Sequence, residues 1–282
     1  MSDTGVIGTL LLLFTGLATY KGFTDNRFFE ENLFEVDGIL IGKEYKRIVT
    51  SGFLHTSWLH FGFNMIALLS FSWSLELLFG YWKLLFIYFA SLIGGSLLAL
   101  YIHRFHGDYR AVGASGAISG IIFSSIILFP EAPIRFVLIP IEFKGWFLGL
   151  LFVVVSIFGI KSKKGNIGHE AHLGGALTGA VITLFLVPFD EIQWWVVALL
   201  LVPTIAFLVL IVRNPAVLLV SGYWGETLRR RKMPKPAPQE QQPVFASKQE
   251  ELDSLLDKIS QKGIRSLTKK ERDRLDELKN EL

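Results

Sequence analysis

The chain has 282 residues, 51% of them hydrophobic, with a mean hydropathy of +0.45, which excludes an ordinary single-core soluble domain. It holds no cysteine, so disulfides, thiolate metal sites and cysteine nucleophiles are excluded together. The net charge of +3 is uneven: residues 229–282 carry 14 Lys+Arg against 10 Asp+Glu, leaving the apolar part near neutral and the tail basic.

Crossing about 30 Å of hydrocarbon takes about 17 to 25 mostly uncharged residues. Seven stretches meet that need, at 5–20, 58–79, 82–102, 113–129, 143–160, 170–188 and 192–212. The first is kept in the mature chain, because Met1 to Gly5 carries no Lys or Arg and no small-residue cleavage site clearly follows. Between the first two spans runs a long loop mixing aromatics with charges. We expect it at the membrane interface, with Phe28, Phe29, Leu33 and Phe34 facing lipid. The remaining connections are short, which makes neighbouring spans antiparallel hairpins. The fold expected is all-α, a polytopic membrane helical bundle. After a Pro- and Gln-rich linker at 229–246, residues 247–282 form an amphipathic helical tail. Ser247 with Glu250 opens one helix, Gly263 ends it, and Thr268 with Glu271 opens a second. These helices pair with each other, with a partner or with the membrane surface.

Polar groups inside a span are costly and therefore informative. His60 and Asn64 are four apart, which puts them on one helix face about 6 Å from each other. Taken alone they fit an interhelical hydrogen-bond pair equally well. His172 opens the sixth span and precedes Gly175 and Gly179, a surface that lets another backbone approach closely. The fourth span offers a matching surface in Gly113, Gly116 and Gly120, with Ser115 at its mouth. Spans two, four and six all start on one side, so His60, Asn64, Ser115 and His172 share one depth. Packed through the glycines, Ser115 and His172 make a nucleophile and base. The start of the fourth helix, with His60 and Asn64, supplies donors for an oxyanion. No carboxylate completes a triad: Glu170 points elsewhere on its helix, and Glu76 lies across the bilayer, where it caps or pairs with backbone. His55 belongs to the loop before the second span, His103 and His106 flank a connection, and His169 caps the sixth span. No metal site or cofactor is expected, and no nucleic-acid partner.

The ordered motifs "HFGFN", "GASGAISG" and "AHLGGALTG" resemble the rhomboid intramembrane serine proteases over about residues 5–190. "EYKR" resembles the aromatic-Arg corner of that family's first loop, with Tyr45 and Arg47 in the matching places, and Glu76 and Gly80 match the end of its second helix. The resemblance implies a core of six transmembrane helices over residues 1–190, with Ser115 as nucleophile and His172 as general base. His60, Asn64 and the Ser115 backbone would line the oxyanion hole. The substrates would be transmembrane segments of other membrane proteins, admitted laterally past the fifth span. Residues 191–228 resemble the extra helix of "six plus one" members, in a bacterial cytoplasmic membrane. A proteolytically inactive relative that binds transmembrane segments is the alternative, and the presence of Ser115, His172, His60 and Asn64 favours the enzyme.

Orientation stays open. The family's bacterial members are expected to face the active site outward, yet the loops on that side hold 10 Lys+Arg against three on the other, which favours the reverse.

Overall fold

The computed structural model describes residues 5–136, 139–162, 168–214, 248–263 and 266–281. The linker at 229–246, Ser247 and the loop lysines 163 and 164 lie outside them. The chain divides into two compact units, residues 1–226 and 227–282.

The first unit is a helical bundle. Its apolar rods are α1 (Val6–Thr24), α5 (Trp58–His103), α6 (Ser115–Leu128), α7 (Gly145–Ser162), α8 (His169–Leu186) and α9 (Trp194–Arg213). Short elements fill the first loop: α2 (Asn26–Asn32), α3 (Val36–Leu40) and α4 (Arg47–Thr50). The 46 residues of α5 are two rods rather than one, because Gly80 takes φ 75°, ψ 175° and breaks the helix there. Such a φ is routine for glycine and strained for other residues. The seven spans expected are therefore α1, the two halves of α5, and α6 to α9. Their surfaces carry exposed Leu13, Phe14, Leu17, Trp82, Phe86 and Phe158. Helices this apolar all round suit a hydrocarbon solvent, where each backbone group must be satisfied within the helix. The chain is a membrane-embedded helical protein.

At the centre stands α6, 14 residues long with ten of them buried. At 1.5 Å per residue it is about 21 Å long, well short of a bilayer's hydrocarbon. Glycines let α8 and the second half of α5 close around it.

Two expectations need correcting. Leu33 and Phe34 are 3% and 2% exposed, so they face protein and not lipid. The buried Arg47 gathers the carbonyls of Glu30 and Leu33 at 2.6 and 2.8 Å. The two-residue strand β1 (Phe34–Glu35) pairs with β2 (Arg110–Ala111), and together these contacts draw the loop onto the bundle, where Phe34 joins Val36, Ile39 and Ala99. Phe28 and Phe29 are half-buried in α2. Second, the link between the fourth and fifth spans is not a bare short connection. It holds an antiparallel hairpin, β3 (Pro133–Phe136) with β4 (Ile139–Lys144), which delays the fifth span to Gly145.

In the second unit α10 (Lys248–Lys262) and α11 (Lys269–Glu281) pack through Leu255, Leu267, Leu275 and Leu278. Arg274 grips both carboxylate oxygens of Glu251 at 3.1 and 3.0 Å. Gly263, at φ 79°, ends α10. A reciprocal box opens α11: the Thr268 N–H donates to Glu271 Oε2 at 2.7 Å and the Glu271 N–H to Thr268 Oγ1 at 3.3 Å.

Candidate active site

Ser115 is the first residue of α6, and what precedes it decides how exposed its hydroxyl is. Gly113 takes φ 134°, where a side chain is strained whatever the space. A Cβ there would also lie 3.0 Å from His60 Cε1 and 3.7 Å from Ser115 Oγ. The missing side chain thus leaves room between the hydroxyl and the imidazole of His60. Ala114 offers the helix start no side-chain cap. The N–H groups of the first turn therefore have no intrahelical partner, and the positive end of the helix dipole lies beside Ser115.

His172 sits in the first turn of α8, its N–H bonded to Gly168 O at 3.1 Å. Its Nε2 lies 2.7 Å from Ser115 Oγ, a hydrogen bond between residues 57 apart in the chain. Helix contact without side chains makes this reach possible. A Cβ on Gly175 would lie 1.9 Å from Gly116 O, one on Gly179 2.4 Å from Gly120 Cα, and one on Gly120 2.0 Å from Ser91 Oγ. Ser124 Oγ, which donates to Gly120 O of its own helix at 2.8 Å, also lies 3.2 Å from Gly179 O. The opposite side of α8 is as close to α5: a Cβ on Gly95 would lie 2.4 Å from Ala171 O, and one on Gly174 2.9 Å from Gly94 O. Gly94 and Gly95 stand in the sequence as a glycine pair within a span, the signal that would have marked this second contact.

His60 and Asn64 share one face of the first half of α5. Ser57 caps that helix, accepting from the His60 N–H at 3.1 Å, and His60 Nδ1 lies 3.3 Å from Thr56 Oγ1. Asn64 is buried and spends one amide hydrogen on His60 O at 3.0 Å. Ser115, Gly116, Gly113, His60 and Thr56 line a cavity of ≈ 750 Å³; Asn64 and His172 stand behind its wall.

His55, expected only to order its loop, has definite partners. Thr19 Oγ1 donates to Phe53 O at 3.1 Å, so its one hydrogen is committed and His55 Nδ1, 2.9 Å away, is the donor to Thr19. The imidazole meets His60 edge-on at 4.8 Å. Burial, with His60 as a lesser cause, pushes the His55 pKa down to about 3, so it stands neutral against His60.

Arg47 lies under the first loop, with Glu44 as its ion-pair partner, whereas Tyr45 is 62% exposed. Glu76 lies at the start of α1, accepting from the Val6 and Ile7 N–H groups at 2.7 and 2.9 Å. It satisfies two donors that a helix start leaves open.

Two more expectations change. His103 is not a bare flank of a connection: its Nε2 bonds the buried carboxylate of Glu170, and its ring stacks on Tyr109 at 3.6 Å and 6°. Burial, then the charge of Glu170, pushes the Tyr109 phenol pKa up. His169 is the first residue of α8, with Gly168 as its cap, and its ring fills the space above Gly159. Among the described residues, no group of three or more His, Cys, Asp and Glu has metal-site geometry.

A hydroxyl against an imidazole nitrogen, at an uncapped helix start inside a cavity, suits nucleophilic attack on a carbonyl. Comparisons with known proteins give the family. Residues 42–189 match the family described as "Rhomboid domain", and residues 246–281 match a family of unknown function. "Rhomboid protein 1, mitochondrial" of Saccharomyces cerevisiae is 33% identical over 150 residues, covering 51% of this chain and 43% of its own length. "RHOMBOID-like protein 12, mitochondrial" of Arabidopsis thaliana is 29% identical over 198 residues, 64% of this chain and 58% of its own. "Rhomboid protease AarA" of Providencia stuartii is 30% identical over 157 residues, 50% and 56%. The chain thus spans about half the length of the curated relatives it matches. With the Rhomboid domain matching more than half of its residues, the chain belongs to the rhomboid family.

Proposed function

We propose that this rhomboid is an intramembrane serine endopeptidase that cuts transmembrane segments of other membrane proteins with a Ser115–His172 dyad. The observation that carries the reading is the 2.7 Å contact between His172 Nε2 and Ser115 Oγ at the open start of α6. Ser115 Oγ attacks the scissile carbonyl carbon while its proton passes to His172 Nε2, and the carbonyl electron pair moves onto oxygen. That oxyanion is held by the Ser115 N–H, by His60 Nε2–H and by the second amide hydrogen of Asn64. The tetrahedral species collapses, the amine takes the proton from His172, and an acyl-Ser115 ester remains. Water then repeats the sequence and releases the acid. Residues 1–190 are the catalytic core in this reading, 191–228 an added helix with its juxtamembrane segment, 229–246 a linker and 247–282 a helical tail. Substrates enter beside α7 and the first loop.

A bacterial cytoplasmic membrane is part of the same reading, supported by the Providencia stuartii relative, while the yeast and Arabidopsis relatives are mitochondrial. Fusing alkaline phosphatase or a fluorescent protein to the tail reports its side: a bright, phosphatase-inactive pair puts the tail inside.

The decisive experiment is cleavage of a model transmembrane substrate together with fluorophosphonate labelling of the purified protein. Ser115→Ala and His172→Ala each abolish both while leaving the fold intact in detergent. Undiminished cleavage by Ser115→Ala overturns the proposal.

A further inference from the structure

The dyad leaves unused a buried polar cluster beside it. Glu170 is the second residue of α8, two before His172, with its side chain 9% exposed. An acid this buried at the start of an apolar helix needs a reason. It does not bond His172. Its partner is His103, the last residue of α5, whose ring lies flat on Tyr109. Tyr109 leads back to the first loop: its carbonyl accepts from the Val36 N–H at 3.3 Å, and its ring meets Phe34 edge-on at 6.1 Å. Its hydroxyl stands 3.6 Å from where a Cβ on Gly168 would be, against the start of α8. Glu170, His103 and Tyr109 all face the cavity that holds Ser115.

We propose that Glu170 is a positioning residue for His172, holding the first turn of α8 in rotational register through His103 and Tyr109. This rests on the dyad reading above. The glycine contacts set how closely α8 approaches α6, but contact between bare backbones carries little direction about the helix axis. A ring nitrogen several ångströms from that axis moves about 1 to 2 Å for a rotation of 10–20°, the margin beyond which a reacting pair is lost. The hydrogen bond from His103 to Glu170 is directional, about half a turn from the base and braced by a stacked ring. The same chain of contacts ties the placement of the first loop to that of the base.

The test uses the full chain in detergent, with fluorophosphonate labelling rate, kcat and KM as readouts. Glu170→Leu removes the acceptor, and His103→Phe removes the donor while keeping a ring on Tyr109. Each lowers kcat and labelling about 10- to 100-fold with KM within about twofold, the size expected of an ångström-scale misplacement. The double variant is no slower than either single one, as for partners in one contact. Glu170→Gln, whose carbonyl still accepts from His103, stays within about threefold of the parent. Singles at the parental rate, an additive double variant, or a Glu170→Gln as slow as Glu170→Leu each overturn the inference. Should Glu170→Leu not fold, His103→Phe and Glu170→Gln decide it. A parent protein that is not labelled at Ser115 refutes the protease reading instead, so the two failures are distinct.

Discussion

Replacing Gly175 by Ala tests whether bare helix contact sets the distance between hydroxyl and imidazole. The new Cβ would lie 1.9 Å from Gly116 O and 2.7 Å from Gly116 C. Restoring ordinary contact asks α6 and α8 to part by about 1.5 Å. Retreat is blocked on the far side, where a Cβ on Gly174 would already lie 2.8 Å from Leu98 Cβ. The overpacking costs about 1–3 kcal/mol. Carried to the site, the same shift lengthens the Ser115–His172 contact from 2.7 Å to a separation at which no hydrogen bond exists. Losing the base in the transition state lowers the rate by about 10²- to 10⁴-fold. The assay is fluorophosphonate labelling alongside thermal unfolding in detergent. Gly62→Ala, at a half-buried position of α5 where a Cβ meets nothing within 4 Å, serves as the control and leaves both unchanged. A Gly175→Ala protein labelled at the parental rate refutes the reasoning, because the helix contact would then not govern the site.

Three further predictions rest on single contacts. For His60 Nε2 to donate to an oxyanion, Nδ1 must accept from the Thr56 hydroxyl 3.3 Å away; Thr56→Val therefore lowers kcat by up to about 10², Thr56→Ser restores it, and ¹⁵N shifts of His60 report the tautomer. Glu76→Leu leaves the Val6 and Ile7 N–H groups without an acceptor; thermal unfolding shows a loss of about 1–3 kcal/mol for each, while the folded fraction keeps its labelling rate. In the tail, the hydrogen bond from Lys258 and those from Thr268 hold the Glu271 carboxyl down to about 2. A carboxyl lowered from its unfolded value stabilises the folded form above that value and loses its effect as pH falls. Amide-exchange protection across the described residues of 248–281, taken relative to the intrinsic rate at each pH, accordingly falls between about pH 4.5 and pH 2, and Glu271→Gln flattens that dependence. An unchanged exchange profile would count against the capping box.

The rods were legible because apolar length is a composition signal, and all seven expected spans lie within about four residues of their helices at each end. The approach of Ser115 to His172 was legible for a different reason: Gly116/Gly120 and Gly175/Gly179 repeat at helical spacing, and a common starting side fixes a common depth. What was not legible depends on single long-range partners. Leu33 and Phe34 carry an interfacial pattern that fits lipid or protein equally, and Arg47 decides between them by binding carbonyls 14 and 17 residues away. His103 and Glu170 are 67 residues apart and come from different helices, so no local pattern pairs them. The hairpin at 133–144 is hidden by its own apolar residues, which a hydropathy window reads as the flank of the fifth span.

The shortness of α6 bears on which peptide bond the proposed reaction reaches. With its far end at one hydrocarbon boundary, a 14-residue helix leaves its serine about 9 Å beneath the opposite one. A substrate chain descends that far in about six residues while coiled, but in about three once drawn out straight. The residue count of one buried helix would therefore act as a depth gauge: bonds close to the end of a membrane segment come within range, and those at its middle do not.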